Sequence, residues 1–447
     1  MQYISTRGDI SPMHFQDAVL TGQAADGGLL LPHRIPCVRD KLCSWKDLSF
    51  VELAYEIVRL YATDIEDVDL ESIISRAFTA FDHPDIVPIV DQGPLRIMEL
   101  FHGPTLAFKD IALQVLGRLF QHSLGLRSSK LNILGATSGD TGSAAIASVR
   151  GKENINVFIM FPEGKTSRLQ ELQMTTVLDS NVHCLSIKGD FDDCQRIMKS
   201  TFNDLEFKKR HALGAVNSVN WARVLIQIVY YAHAALRDND PVSISVPTGN
   251  FGNICAGYIA RRMGFPIHRL ILATNENDIL ARFFSTGVYQ RDLVHQTLSP
   301  SMDIQVASNF ERYLYYLLKE DPQKVKIFME TFVDNGIAKI KNYEVMDDCF
   351  IPVRIDTAEM LATISSIYSK YNYVLDPHTA VGVAAALRVK VDTPIVSLAT
   401  AHPSKFPDSV RKAIGKPIPT HVQLEQLYNL EERKITLPAD ETAVREY

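Results

Sequence analysis

From about residue 95 onward, the chain alternates short apolar runs with segments that carry apolar residues at helical spacing. Such runs are typical of strands buried on both faces of a parallel sheet, with the intervening helices packed over it. The pattern therefore predicts an α/β fold with parallel sheets. The predicted strands are 131–134, 157–161, 182–187, 242–246, 270–273 and 395–399, and the clearest predicted helices are 111–120, 194–202, 222–236 and 254–263.

One of these strands leads directly into the Gly-rich loop 135–142, which carries the hydroxyls of Thr137, Ser138 and Thr141. Ligands of parallel sheets bind beyond the carboxyl ends of the strands, and a helix N-terminus behind such a loop favours an anion. Because the loop lacks the Gly-Lys-Ser/Thr ending of a nucleotide P-loop, the carboxylate or phosphate of a small substrate is the predicted ligand. The alternative is a capped strand–helix turn, which accounts for one hydroxyl rather than three.

A second Gly-rich loop, 246–253, has the same position between a predicted strand and a predicted helix. It contains no cation. A phosphate bound there would be held by backbone N–H groups and the helix dipole alone. This is typical of a cofactor phosphate that stays in place, although an Asn-capped turn is the structural alternative. The loop residues concerned are Thr248, Gly249, Asn250, Phe251, Gly252 and Asn253.

Lys109 follows the apolar residues Leu106, Ala107 and Phe108, just after a Gly-Pro break. Burial disfavours the ammonium form of a lysine and lowers its pKa towards neutrality, as a lysine that attacks a carbonyl requires. The alternative is a surface lysine whose aliphatic stem passes along Phe108.

Further polar residues could complete a site. Lys165 and Arg223 are candidates for a second phosphate, because arginine offers a fork of donors, and Asn217 lies close to Arg223 in sequence. Each basic residue taken singly is more often a surface charge. Thr400 places a hydroxyl at the end of a predicted strand, where ligands bind.

Composition limits the class of partner. The 447 residues carry a net charge of −6 with 46% hydrophobic and 22% charged residues, which is typical of a soluble globular protein and makes nucleic acid and membranes improbable partners. The six cysteines form no C-x-x-C pair, which indicates reduced thiols rather than a disulfide frame or a metal site. No signal peptide or transmembrane stretch is recognisable, so we expect a cytoplasmic protein with a small-molecule substrate.

The proline-rich segment 82–94 predicts a linker after an N-terminal unit. We expect an N-terminal domain at 1–90. A large α/β domain that binds the cofactor is expected at 91–135 and 210–447, and a small α/β domain at 136–209 is expected to be inserted into it.

A lysine in an apolar setting, a loop for a carboxylate, a neutral phosphate loop and a late hydroxyl together indicate pyridoxal 5′-phosphate as cofactor. Its aldehyde would form a Schiff base with Lys109, and the cofactor would serve as an electron sink for carbanions.

The same segments resemble those of the threonine synthase family, in the order and spacing of its bacterial and fungal type. The resemblance extends from 3–8 nearly to the C-terminus. The matching motifs are 105–110, 135–143, 217–223, 246–252, 299–303, 376–382 and 400–403.

The resemblance implies a tryptophan-synthase-β-like fold, that of the fold type II pyridoxal-phosphate enzymes, with an added N-terminal domain. It implies conversion of O-phospho-L-homoserine and water to L-threonine and phosphate, the last step of threonine biosynthesis. Lys109 would carry the cofactor beside Phe108 and would move protons. The loop from Thr248 to Asn253 would hold the cofactor phosphate, and Thr400 would face the pyridine nitrogen.

The resemblance also assigns substrate contacts. Thr137, Ser138 and Thr141 would contact the substrate, while Asn217 and Arg223, together with Lys165, would bind its phosphate. Asp140 would lie beside the phenolic oxygen of the cofactor, where many relatives of this fold carry Asn.

Three other functions stay open at this point. A phospho-lyase would take the same substrate to 2-oxobutyrate, ammonia and phosphate with the same motifs. A dehydratase or sulfhydrylase would not need Arg223 and Lys165, and a catalytically silent binding protein would not need Lys109. A monomer and a homodimer are equally compatible with the sequence.

Overall fold

The computed structural model describes residues 1–93, 95–137, 139–340 and 348–447. Its strands are β1 Tyr3–Ser5, β2 Leu30–Pro32, β3 Ile89–Gln92, β4 Leu95–Glu99, β5 Leu131–Ala136, β6 Ile155–Pro162, β7 Val182–Lys188, β8 Leu213–Gly214, β9 Val242–Pro247, β10 Ile267–Thr274, β11 Val288–Gln290, β12 Ile337–Lys339, β13 Phe350–Arg354, β14 Ile395–Ala399 and β15 Ile435–Pro438.

Helices fill most of the intervening chain. They are α1 Phe15–Thr21, α2 Leu42–Trp45, α3 Phe50–Val58, α4 Asp67–Phe78, α5 Lys109–Leu126, α6 Asp140–Val149, α7 Arg168–Thr175, α8 Phe191–Asn203, α9 Leu205–Arg210, α10 Trp221–Leu236, α11 Gly252–Met263, α12 Ile279–Thr286, α13 Phe310–Leu317, α14 Pro322–Asn335, α15 Thr357–Tyr371, α16 Pro377–Arg388, α17 Pro407–Ile414, α18 Val422–Leu427 and α19 Glu441–Glu446. Within the described residues, no helix is both long enough and apolar enough to cross a membrane.

Among the described residues, two larger sheets organise the molecule. The large sheet has the order β13-β10-β9-β14-β4-β3 and is parallel except for β3, which pairs antiparallel with β4. The small sheet has the order β15-β7-β6-β5-β8 and is parallel throughout. All the predicted strands lie in these two sheets, and the predicted α/β class with parallel sheets is confirmed.

The sheets differ from the predicted division of the chain at three strands. β5 and β8 pair with each other inside the small sheet, although 131–135 and 210–447 were assigned to the large domain. β15 also joins the small sheet, at the edge beside β7, although it follows all the strands of the large sheet in sequence. An apolar run predicts a strand but does not say which sheet the strand enters, and β15 is mostly exposed.

Helix α10 forms the centre of the core. Every residue from Trp221 to Leu236 is buried, because the segment is apolar on all sides apart from a few polar residues such as Arg223 and Gln227. Asn220 caps the helix by accepting a hydrogen bond from the backbone N–H of Ala222. This cap fixes the place where α10 begins and therefore where Arg223 lies.

The N-terminal unit is joined to this core by a buried arginine. The guanidinium of Arg312, on α13, donates hydrogen bonds to the carbonyl oxygens of Leu30 and Val219 and to the side chain of Asn309. Leu30 belongs to β2, and Val219 belongs to the segment that precedes α10. One side chain thus connects the N-terminal strand pair to the segment that carries Asn217.

Candidate active site

A cavity of about 1160 Å³ lies where the carboxyl ends of β5, β9 and β14 face one another. Strands of both sheets end here, and two of them continue into the Gly-rich loops that the sequence singled out. Among the residues that line the cavity are Phe108, Lys109, Thr137, Thr141, Asn217, Arg223, Thr248, Gly249, Asn250, Phe251, Gly252, Asn253 and Thr400. Predicted site residues spread over nearly three hundred positions of the chain therefore share one cavity.

Lys109 is the first residue of α5, and its side chain is 12% exposed. Burial lowers the pKa of its amine from the ordinary lysine value, while the nearby Asp140 opposes that shift. The turn before it is strained, because Leu106 has a φ of 59°, a conformation that non-glycine residues rarely adopt. The backbone N–H of Phe108 donates to the carbonyl of Thr400 at 2.9 Å and so ties Lys109 to the end of β14.

The loop between β9 and α11 has the form of an anion site. Phe251 adopts a left-handed conformation with a φ of 64°, and α11 begins at Gly252 without a side-chain cap. The first N–H groups of a helix have no partner within the helix, so they are available to a ligand. Asn253 is fixed by Tyr230 and Tyr231, whose hydroxyls donate to its Oδ1 at 2.6 and 2.7 Å. Its buried Nδ2 makes no hydrogen bond to another described residue.

A second group of open polar atoms lies around Arg223, which is buried on the first turn of α10. Its Nε and Nη1 make no hydrogen bond to another described residue, and neither do Asn217 Oδ1 and Gln227 Oε1. Burial lowers the pKa of the guanidinium to about 10, which leaves it charged at neutral pH. A buried cation with open donors requires an anion, since an unpaired buried charge is costly.

The first Gly-rich loop ends where α6 begins, at Asp140. Thr137 Oγ1 accepts from the backbone N–H of Gly139 at 3.1 Å, and both Thr137 and Thr141 line the cavity. Ser138, which was predicted beside them, lies outside the described residues.

Two predicted residues do not line the cavity. Lys165 is exposed, so the geometry gives it no part in a phosphate site. Asp140 lies behind the lining, with Oδ2 at 3.8 Å from Lys109 Nζ.

Sequence reasoning missed several residues of the site. Lys405 is fully buried and lies 2.9 Å from Asp140, although Thr400 is the only ligand that was predicted in 400–405. Lys199 and Lys208 also line the cavity, from α8 and α9, and neither was predicted as a site residue. The spacing of Lys199 and Lys208 on helices held no signal of a site, since only the fold brings those helices to the cavity.

These features fit pyridoxal phosphate. An amine in an apolar setting faces a phosphate loop that contains no cation, and the buried Nδ2 of Asn253 is open at that loop. The Thr400 hydroxyl at the end of β14 offers a neutral partner for a ring nitrogen. The cavity is also large enough for a cofactor and a small substrate together.

Comparison with protein families gives three matches along the chain. The model described as threonine synthase N terminus matches residues 2–78, the model described as pyridoxal-phosphate dependent enzyme matches 94–400, and the C-terminal threonine synthase model matches 379–447.

Threonine synthases are among the most similar curated proteins. The protein from Pseudomonas aeruginosa is 44% identical over 100% of this chain and 98% of its own length, and that from Saccharomyces cerevisiae is 45% identical over 92% and 89%. A protein named threonine synthase-like 2 from Xenopus laevis is more distant, at 38% identity.

Solved structures agree with the sequence comparison. A threonine synthase from Brucella melitensis with bound pyridoxal phosphate has a TM-score of 0.98 at 44% identity, covering 100% of this chain and 98% of that one. The yeast threonine synthase has a TM-score of 0.95 at 41% identity and covers 100% and 97%. A threonine deaminase from Solanum lycopersicum, at 13% identity and a TM-score of 0.54, shares the fold. The predicted fold class and the predicted cofactor are confirmed.

Proposed function

The chain belongs to the threonine synthase family, and from that premise we propose which of its residues convert O-phospho-L-homoserine and water into L-threonine and phosphate. It is a pyridoxal-phosphate-dependent lyase. One observation supports the assignment of roles most directly: a single cavity holds the Lys109 amine together with two separate anion sites. One of these sites has no cation and the other has a buried arginine, as a resident cofactor phosphate and a reacting substrate phosphate require.

The cofactor would be held at three points. The helix N-terminus at Gly252 and the loop from Thr248 to Asn253 would bind its phosphate, Lys109 would carry its aldehyde carbon, and Thr400 would face the pyridine nitrogen. When bound, pyridoxal phosphate supplies an electron sink for negative charge that develops beside the substrate nitrogen. A hydroxyl at Thr400 cannot hold a full positive charge on the ring nitrogen as an aspartate would, and this tempers the sink.

Lys109 moves the protons. Its free amine would carry one proton at a time, taking the proton of substrate Cα and giving it up before it takes one from Cβ. The same group returns protons to Cγ after the phosphate has left and to Cα after water has added to Cβ. Such a base works best with a pKa near the working pH, and burial moves the pKa of Lys109 in that direction.

Arg223 and Asn217 would bind the substrate phosphate, with Gln227 beside them. As the bond from Cγ to the phosphate oxygen breaks, negative charge grows on the leaving group, and the buried guanidinium offsets it. Thr137 and Thr141, at the start of α6, would bind the substrate carboxylate and fix the orientation of Cα towards Lys109.

A product assay tests the assignment. We expect the holoenzyme supplied with O-phospho-L-homoserine to release L-threonine and phosphate in equal amounts. The Lys109→Ala variant should form neither product and should lack the absorbance of a covalently held cofactor. Release of 2-oxobutyrate and ammonia in place of threonine would identify a phospho-lyase and overturn the proposal.

We further propose a cytoplasmic location, as a monomer or a homodimer. Cys37 and Cys43 are exposed and free, as is typical of a reducing compartment. Cell fractionation and light scattering measure the two properties.

A further inference from the structure

Lys405 is a buried cation at the back of the proposed active site. Its side chain is 0% exposed. The residue is the last one of the short helical turn Pro403–Lys405, which follows β14. Its Nζ donates to Asp140 Oδ1 at 2.9 Å and to the carbonyl oxygen of Thr105 at 2.6 Å. A fully buried ammonium is costly unless it is paired, and both partners here belong to segments that adjoin Lys109.

Asp140 stands between two lysines. Its Oδ2 lies 3.8 Å from Lys109 Nζ, which is too far for a good hydrogen bond, while Oδ1 is engaged by Lys405 and by Gln170 Nε2 at 3.3 Å. The carboxylate is therefore oriented by Lys405 and only approaches Lys109. One negative charge serves two buried ammonium groups.

We propose that Lys405 is a positioning residue that holds the Asp140 carboxylate away from a close ion pair with Lys109, which leaves the Lys109 amine free to take up the cofactor and accept protons. Without Lys405, Asp140 would be a buried carboxylate with Lys109 as the nearest cation. The two would pair, and the pair would keep Lys109 protonated.

The charges around Lys109 agree with this arrangement. After burial, the largest influences on the pKa of Lys109 are Asp140, which raises it, and Lys405, which lowers it. Arg223 also lowers the pKa and Asp110 raises it. Asp140 itself stays ionised, because Lys405, Lys109 and His378 together outweigh the cost of its burial and hold its pKa well below the usual range.

This inference rests on the proposed role of Lys109 and adds a residue that controls it. Asp140 and Lys405 together are almost neutral, so removing both should change the pKa of Lys109 little. Removing either one alone should change it in opposite directions. A residue that only supported the fold would not produce that pattern.

The test is the pH dependence of Lys109 acylation in the full-length enzyme stripped of cofactor. Trace acetic anhydride labels neutral amines, and mass spectrometry of the peptide that contains Lys109 gives the labelled fraction at each pH. We expect Lys405→Met to shift the Lys109 profile to higher pH by roughly one to three units, the range expected for one close charge. Asp140→Asn should shift it to lower pH, and the double variant should return close to the wild-type profile.

Lys405→Arg keeps the charge and serves as the matched control, with a profile near the wild type. Should Lys405→Met fail to fold, Lys405→Gln takes its place in the same comparison. A shift on loss of Lys405 that is no larger with Asp140 present than in the Asp140→Asn background would overturn the inference, because Lys405 would then act on Lys109 directly and not through Asp140.

In the holoenzyme, the visible absorbance of the bound cofactor should shift its pH midpoint in the same order among the variants. Borohydride reduction followed by peptide mapping tests the proposed function separately from the role of Lys405. A cofactor label on a lysine other than Lys109 would overturn the proposed function, whereas a label on Lys109 with profiles that ignore Lys405 would overturn this inference alone.

Discussion

Arg223 combines two properties that rarely coincide, since it is buried and it makes no ion pair within the described residues. An arginine in that state destabilises the fold unless a ligand completes it. The fold accepts this cost at the start of α10, where Asn220 fixes the helix end and the cavity lies in front of the guanidinium. We infer that the substrate phosphate is the missing partner.

Arg223→Lys tests the role of the guanidinium. Lysine keeps the charge but loses the fork of donors, so we expect KM for O-phospho-L-homoserine to rise and kcat to fall. Each charged hydrogen bond is worth about 1.5–3 kcal/mol, so kcat/KM should fall by roughly ten- to a hundredfold. Steady-state kinetics measures the change.

Lys165→Gln is the matched control, because Lys165 is an exposed cation that does not line the cavity. Its kinetics should equal those of the wild type. If Arg223→Lys kept full kcat/KM and weakened only cofactor binding, the phosphate assignment would be wrong.

Helices α5 and α6 pack with their backbones in close approach. This contact joins the helix that starts at Lys109 to the helix that starts at Asp140. Gly117 makes the contact possible. A Cβ added there would meet the carbonyl oxygen of Ser148, on α6, at 2.1 Å. The position of Lys109 relative to Asp140 thus depends on the absence of a side chain at Gly117.

Gly117→Ala should therefore force the two helices apart. We expect a loss of roughly 1–3 kcal/mol of stability, seen as a lower thermal midpoint in calorimetry, together with weaker cofactor binding. Gly125→Ala, in the same helix, is the control. Nothing lies within 4 Å of its added Cβ, so helix propensity should raise or maintain the midpoint. Equal midpoints for the two variants would contradict the packing argument.

The elements were predictable where the local pattern carried the information. The run 242–246 is buried along its whole length and was recognisable as strand β9, and the segment 222–236 was recognisable as the helix observed as α10. Thr248 and Thr137 were recognisable because each follows such a strand.

Lys405 was not predictable, because nothing in its neighbours shows that it is buried. Only the return of β14 beside β4 brings the turn after β14 against Asp140. The same limit applies to Lys199 and Lys208, which reach the cavity from helices of the small sheet, and to the sheet in which β15 is found.

Arg312 connects the N-terminal unit to the site through its hydrogen bonds. It is fully buried, and it contacts β2, the segment before α10 and Asn309 at once. Asn309 in turn donates from its backbone N–H to the carbonyl oxygen of Asn250, in the predicted cofactor loop, at 3.0 Å. The N-terminal unit therefore supports both proposed anion sites.

Arg312→Lys should weaken this connection, since one ammonium cannot reach all three hydrogen-bond partners. The loss of each charged hydrogen bond costs about 1.5–3 kcal/mol, so the thermal midpoint should fall and amide exchange should rise in 28–32 and 217–220. Hydrogen exchange with mass spectrometry measures both regions. Arg411→Lys, at an exposed ion pair with Asp408, is the control and should leave exchange unchanged. Unchanged amide exchange in both regions of Arg312→Lys would contradict the connecting role of Arg312.

The order in which the strands of the small sheet are synthesised affects the nascent chain. β15 pairs with β7, and the ribosome makes it about 250 residues later, a delay of roughly ten to fifty seconds at ordinary rates of synthesis. Throughout that interval the free edge of β7 is a template to which another chain can add a strand. Another chain can therefore pair with β7 until β15 has been made, and loss of 435–438 would leave this edge open in the finished protein.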